Sequence, residues 1–256
     1  MRSTNKREPE IVPIPAFADN YIWAMVKDGH CVVVDPGDAG PVERFLAGRQ
    51  LSLDAILITH HHDDHVGGVA SLNRTRSVPV YGPAAEHIEC VTLAISEGDT
   101  VDLPEIVDLP FRVLEVPGHT RGHIAYVSGD ILFCGDTLFA AGCGRLFEGT
   151  AAQLHHSLMR LAELPEETRV YCTHEYTVSN LRFALAVDGD NEAVVARSFV
   201  EQSRQEKGEP TLPSTIALER ATNPFLRCAT PDVIQRTRDH LSQPASQLSD
   251  TRQPLT

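Results

Sequence analysis

The feature that most constrains this chain is a near-continuous apolar run, LDAILIT at 53–59, which ends abruptly in the polar string THHHDDHVGG at 59–68. An apolar run without alternation reads as a strand buried on both faces, the kind found in parallel sheets covered by helices. Such a strand commits the chain to a layered α/β fold and sets the polar string at its carboxyl end, where open α/β sheets collect functional residues. Alternate residues of an extended or turning backbone share a face, so His60 and His62 converge on one point while His61 points away. Asp64 and His65, one turn further on, converge on a second point nearby. Imidazole and carboxylate donors suit zinc, iron or manganese, and donors at this density capping a strand read as a metal site rather than a solvated loop.

Three other apolar runs end in the same way. FRVLEV at 111–116 leads into PGH with His119, ILFC at 131–134 leads to Asp136, and RVYC at 169–172 leads to His174. Together they supply the remaining ligands of a two-metal site. Asp136 is suited to bridge, because its two oxygens can each reach one cation.

Composition narrows the partners. With 22 Lys+Arg against 35 Asp+Glu the formal net charge is −13, which argues against a nucleic-acid surface. No stretch approaches the roughly 20 apolar residues of a membrane span, and the opening MRSTNKREPE lacks the apolar core of an export signal. The expectation is a soluble, cytoplasmic, monomeric protein that acts on a small molecule. Six cysteines without a CxxC pair read as free thiols.

YIWAMV and CVVVD, joined across Asp28-Gly29, read as a hairpin. Further strands are expected at 78–81 and 123–127, and helices at 41–48, 66–74 and 151–163. After Glu175 the texture turns helical: two helices over 176–207, interrupted at Gly189, and further ones at 214–221 and 231–242. A Ser-, Gln-, Pro- and Thr-rich tail runs on from Gln243. The plan is an α/β domain over 1–174 and a helical domain over 175–256.

HxHxDH at 60–65, followed in order by His119, Asp136 and His174, resembles the metallo-β-lactamase superfamily. FADNYIW (17–23), PGHTRGH (117–123), GDTLFAAGCGRLFEGT (135–150), CTHEYT (172–177) and NPFLR (223–227) make the chain similar to glyoxalase II, the hydroxyacylglutathione hydrolase family. The resemblance implies an αββα sandwich followed by a small helical domain that helps to bind glutathione. By that likeness His60, His62, His119 and bridging Asp136 hold one metal, and Asp64, His65, Asp136 and His174 hold a second. Asp64 would also orient the attacking hydroxide. The cations would be divalent, zinc first, with iron and manganese as alternatives.

The implied reaction is hydrolysis of S-(2-hydroxyacyl)glutathione thioesters, such as S-D-lactoylglutathione, in methylglyoxal detoxification. Glutathione's carboxylates call for local cations in so acidic a chain. Arg145 matches a basic position of the family's GCG-K/R motif and Tyr176 its HEY motif, while Arg220 and Arg227 are the candidates within LERATNPFLR, where the family's RxxK pair is not evident. Phe147 stands where many members carry a hydroxylated aromatic. His61 and His123 are expected to hydrogen-bond beside the site, and His155 and His156 to lie on a helix surface. No GxSxG elbow or GxGxxG fingerprint is present. The rival within the superfamily is a glutathione persulfide dioxygenase with mononuclear iron.

Overall fold

The structure, a computed structural model, describes residues 8–228 with the exception of Thr75. In chain order the elements are β1 (Glu10–Ala16), β2 (Asn20–Lys27), β3 (His30–Val34), α1 (Ala39–Arg49), β4 (Ser52–Leu57), α2 (Asp63–Val66), α3 (Val69–Asn73), β5 (Val80–Pro83), β6 (Leu93–Ile95), β7 (Thr100–Val101) and β8 (Phe111–Glu115). They continue as β9 (Ile124–Ser128), β10 (Ile131–Gly135), β11 (Leu138–Phe139), β12 (Gly142–Cys143), α4 (Ala151–Ala162), β13 (Arg169–Cys172), α5 (Thr177–Asp188), α6 (Glu192–Glu206), β14 (Ser214–Thr215), α7 (Ile216–Thr222) and α8 (Pro224–Arg227).

The apolar run becomes β4, which lies parallel between β3 and β5. Its sheet has the order β1-β2-β3-β4-β5-β6, and a second sheet has the order β14-β13-β10-β9-β8-β7. Period-2 alternation on β2 sorts the core into layers. Trp23 and Met25 face the second sheet in a cluster with Val113, Tyr126 and Phe133. Ile22 and Ala24 face the other way, onto Val42 and Leu46 of α1 and Val69 and Leu72 of α3. Helix α4 starts at a full capping box, Thr150 with Gln153, and sends Leu154, Leu158 and Leu161 into the inter-sheet cluster.

The helix expected over 66–74 is two short ones. The break falls at Gly67-Gly68, where the chain packs so closely that a Cβ on Gly68 would sit 2.5 Å from both Pro36 O and Ala39 N. The segment expected as a helix from 214 opens instead as β14, which pairs antiparallel with β13 (Val170↔Ser214, Arg169↔Thr215). Thr215 then caps α7 by accepting from Leu218 N. The part of the chain after 174 therefore supplies an edge strand of the second sheet. The helix expected at 231–242 and the tail from Gln243 lie outside the described residues. Among the described residues no helix is long and apolar enough to cross a membrane.

Candidate metal centre

The carboxyl ends of β3, β4, β8, β10 and β13 meet at one place. There the seven expected ligands gather into three overlapping donor groups: His60, His62 and His119; His60, His65 and Asp136; Asp64, His65 and His174. In the first group His62 Nδ1 lies 3.0 Å from both His60 Nε2 and His119 Nε2. Three imidazole nitrogens that close, pointing at one another, are a cage for a cation. Around the rest, His65 Nε2 is 3.4 Å from Asp136 Oδ1, while His119 Nε2 and His174 Nε2 are 3.4 and 3.3 Å from Asp136 Oδ2. Asp64 Oδ2 stands 3.5 Å from His174 Nε2 and 3.7 Å from His65 Nε2. Asp136 thus touches both sets.

The ring nitrogens that face outward are nearly all held. His60 Nδ1 meets Thr59 Oγ1 at 3.0 Å, His119 Nδ1 donates to Arg145 O at 2.7 Å and His174 Nδ1 meets Asp19 Oδ1 at 3.0 Å. His65 Nδ1 lies 3.0 Å from Asp35 Oδ2. Partners of this kind fix the tautomer and aim the free nitrogen inward. Asp35 also accepts from Thr59 N and Thr59 Oγ1, each at 2.8 Å, and so ties the end of β3 to the end of β4.

The donor set fits a pair of cations. Both ring nitrogens of His65 and Asp136 Oδ1 are buried and lack a well-aligned hydrogen bond, His65 Nδ1 despite its nearness to Asp35, an arrangement that is costly unless another group completes them. Burial pushes His65 down, but Asp136, Asp35 and Asp64 outweigh it and hold it up at about 9, so a cation taking its Nε2 displaces a proton. Burial would raise Asp136, yet His65, His174 and His119 hold it well below the usual carboxylate range. Burial and the neighbouring imidazoles keep His60 far below its ordinary value, the neutral form that a metal ligand requires.

Around this centre, as expected, His61 Nδ1 hydrogen-bonds to Glu86 Oε2 (2.9 Å) and His123 Nε2 accepts from Asp136 N (3.1 Å). Gly144 is required by close approach, since a Cβ there would fall 1.7 Å from Asp136 O. Of the four expected glutathione contacts, two border the centre. Tyr176 stacks on His174 with ring centroids 4.7 Å apart, and the Arg145 guanidinium lies over the Phe147 ring, which packs edge-on against His62 and His119.

The other two are engaged elsewhere. Arg227 Nε donates to Asp188 Oδ2 at 2.9 Å, and Arg220 lies 3.5 Å from Glu166 in a groove with Met159, Glu163 and Leu226. Sequence reasoning missed Asp35, although CVVVD is a further apolar strand ending in a carboxylate and fits the same pattern. It also assigned no role to Asp19 and Asn20, although both lie in the FADNYIW stretch, nor to Glu86, for which spacing gives no signal.

The two-sheet fold and the converging His/Asp groups define a member of the metallo-β-lactamase superfamily, whose model matches residues 18–174. The model for the hydroxyacylglutathione hydrolase C-terminus matches 175–253, and the chain belongs to the hydroxyacylglutathione hydrolase family. Relatives of that name include one from Cupriavidus taiwanensis, 57% identical over 88% of each chain. Another, from Methylobacillus flagellatus, is 50% identical over 95% of this chain and 97% of its own. Among solved structures, ETHE1 from Myxococcus xanthus superposes with a TM-score of 0.66 at 27% identity, covering 96% of both chains. TTHA1623 in a di-iron-bound form superposes at 0.59 with 28% identity over 84% of this chain and all of its own.

Proposed function

We propose that this protein hydrolyses S-(2-hydroxyacyl)glutathione thioesters, S-D-lactoylglutathione to D-lactate and glutathione among them, in methylglyoxal detoxification. The observation that carries the reading is the set of overlapping donor groups around buried His65 and Asp136, in a chain of this family. His60 Nε2, His62 Nδ1, His119 Nε2 and one oxygen of Asp136 would hold one divalent cation. Asp64, His65, His174 and the other oxygen of Asp136 would hold the second. Zinc is the foremost choice; iron and manganese suit the same donors, and the di-iron form of the 28%-identical TTHA1623 supports iron as an alternative.

When bound, the cations supply Lewis acidity to the thioester carbonyl and lower the pKa of water toward about 7. The chain's own groups do the rest. Asp64, whose Oδ2 is held by Asn20, keeps Oδ1 free to orient the attacking water by its proton. Phe139, Phe147 and Tyr176 pack against His174, His62 and His119 and keep bulk water off the imidazoles. Arg145 offers the charge that a glutathione carboxylate needs. Arg227 could serve only by giving up Asp188, whereas Arg220 has only an exposed 3.5 Å pair with Glu166 to exchange. The thiol of glutathione, with a pKa near 8.5, leaves as thiolate without a strong acid.

Residues 1–174 would form the catalytic domain and 175–256 the glutathione-side helical domain of a monomeric cytoplasmic enzyme. Its net charge of −13 favours a small-molecule substrate over nucleic acid or an anionic membrane surface. The test is a pair of assays on metal-loaded protein: loss of thioester absorbance with S-D-lactoylglutathione, and oxygen uptake with glutathione persulfide. Thioester loss without oxygen uptake is expected; the reverse would establish the dioxygenase instead.

A further inference from the structure

We infer that Asn20, at the turn between β1 and β2, is a positioning residue that secures the second cation by fixing the carboxylate of Asp64. The inference rests on the two-cation reading above. Asp64 sits on α2, a single turn of helix, and its side chain is 37% exposed, so packing alone does not lock its rotamer. Asn20 is the opposite case: 6% exposed and anchored by its backbone at the first position of β2. Its Nδ2 donates to Asp64 Oδ2 at 2.9 Å, the same oxygen that faces His65 Nε2 and His174 Nε2.

The backbone of this turn is fastened to the other side of the same donor group. Asn20 forms an isolated antiparallel bridge with His174, Tyr21 N donates to Thr173 O (2.7 Å), and Glu175 N donates to Asp19 O (2.8 Å). Asp19 Oδ1 then meets His174 Nδ1 at 3.0 Å. Asp19 in the turn and Asn20 at its end therefore grip both the aspartate and the histidine that flank His65. Neither Asn20 nor Asp19 hydrogen-bonds to His60, His62 or His119; His60 Nδ1 meets Thr59, His119 Nδ1 donates to Arg145 O, and Glu86 accepts from Gly122 N on the loop after His119. Asp35, through Thr59 and beside His65, backs both donor groups, whereas the turn carrying Asn20 and Asp19 backs only the second.

A hydrogen-bond donor on a ligating carboxylate oxygen sets the direction of its remaining lone pair. Loss of such a partner commonly weakens metal binding about 10–100-fold. Asn20→Ala and Asn20→Leu, the second of which keeps the branched heavy-atom shape without the donor, should each weaken one cation by that factor and leave the other unchanged.

The experiment loads wild type and both variants with Mn(II), titrates a competing chelator, counts the metal left on the protein and records EPR spectra. Wild type should hold two cations with a spin-coupled signal. The variants should pass through a plateau at one cation with an uncoupled signal, while the metal-free proteins melt within a few degrees of one another. Variants that keep both cations at wild-type affinity, or that lose both together, would overturn the role of Asn20. A wild-type protein that saturates at one cation would overturn the two-cation reading itself.

Discussion

Replacing Arg197 by methionine should lower the melting temperature of the metal-loaded protein by about 6–20 °C. Arg197 on α6 and Glu219 on α7 are both buried, with Nη2 2.7 Å from Oε1. Arg197 also donates to Thr222 Oγ1 and Ser214 Oγ, at 2.6 and 3.0 Å. On its other oxygen Glu219 accepts from Ala141 N (2.8 Å) and Asn223 Nδ2 (2.9 Å). Methionine keeps the volume and removes the charge, leaving a buried carboxylate without its cation.

Breaking a buried pair from one side costs about 3–5 kcal/mol, and a chain of this size loses about 2–4 °C per kcal/mol. In the double variant Arg197→Met with Glu219→Gln, the amide oxygen can still accept from Ala141 and the amide nitrogen can donate to Ser214. More than half of the loss should therefore return. Scanning calorimetry at fixed metal concentration measures both. A single variant within 2 °C of wild type, or a double variant no better than the single, would refute the reasoning.

Arg145→Ala should raise KM for a glutathione thioester with little change in kcat, because an anchor binds substrate and transition state alike; steady-state kinetics decides, and an unaltered KM removes the anchor role. Gly144→Ala would drive a methyl group into Asp136 O, and should cost at least about 1–3 kcal/mol in overpacking together with part of the bound metal, read by melting and metal analysis. Asp35→Ala leaves Thr59 N without its acceptor and removes the carboxylate 3.0 Å from His65 Nδ1; the reduced metal affinity, about 10–100-fold, should appear in chelator competition.

What was legible in the sequence was the part carried by local pattern. The apolar runs at 53–59 and 169–172 became β4 and β13, and the His and Asp residues that end such runs came together because parallel strands present their carboxyl ends side by side. Asp28-Gly29 made the expected turn with both residues at positive φ.

Illegible were features decided by distant partners. The β11–β12 hairpin has only two residues per strand and turns through Ala141 at φ 56, a conformation for which alanine gives no signal. That turn is held by Glu219, Asn180 and Asn223, far along the chain. Arg220 and Arg227 were picked out by charge alone, and charge does not say which carboxylate an arginine already serves. Asp19 and Asn20 look like ordinary turn residues until the fold brings His174 and Asp64 to them.

The most direct measurement is anomalous scattering from a crystal of the metal-loaded protein. Two peaks should appear, one among His60 Nε2, His62 Nδ1 and His119 Nε2 and one among Asp64, His65 and His174, with Asp136 between them. A single peak, or peaks away from these seven side chains, would contradict the two-cation centre.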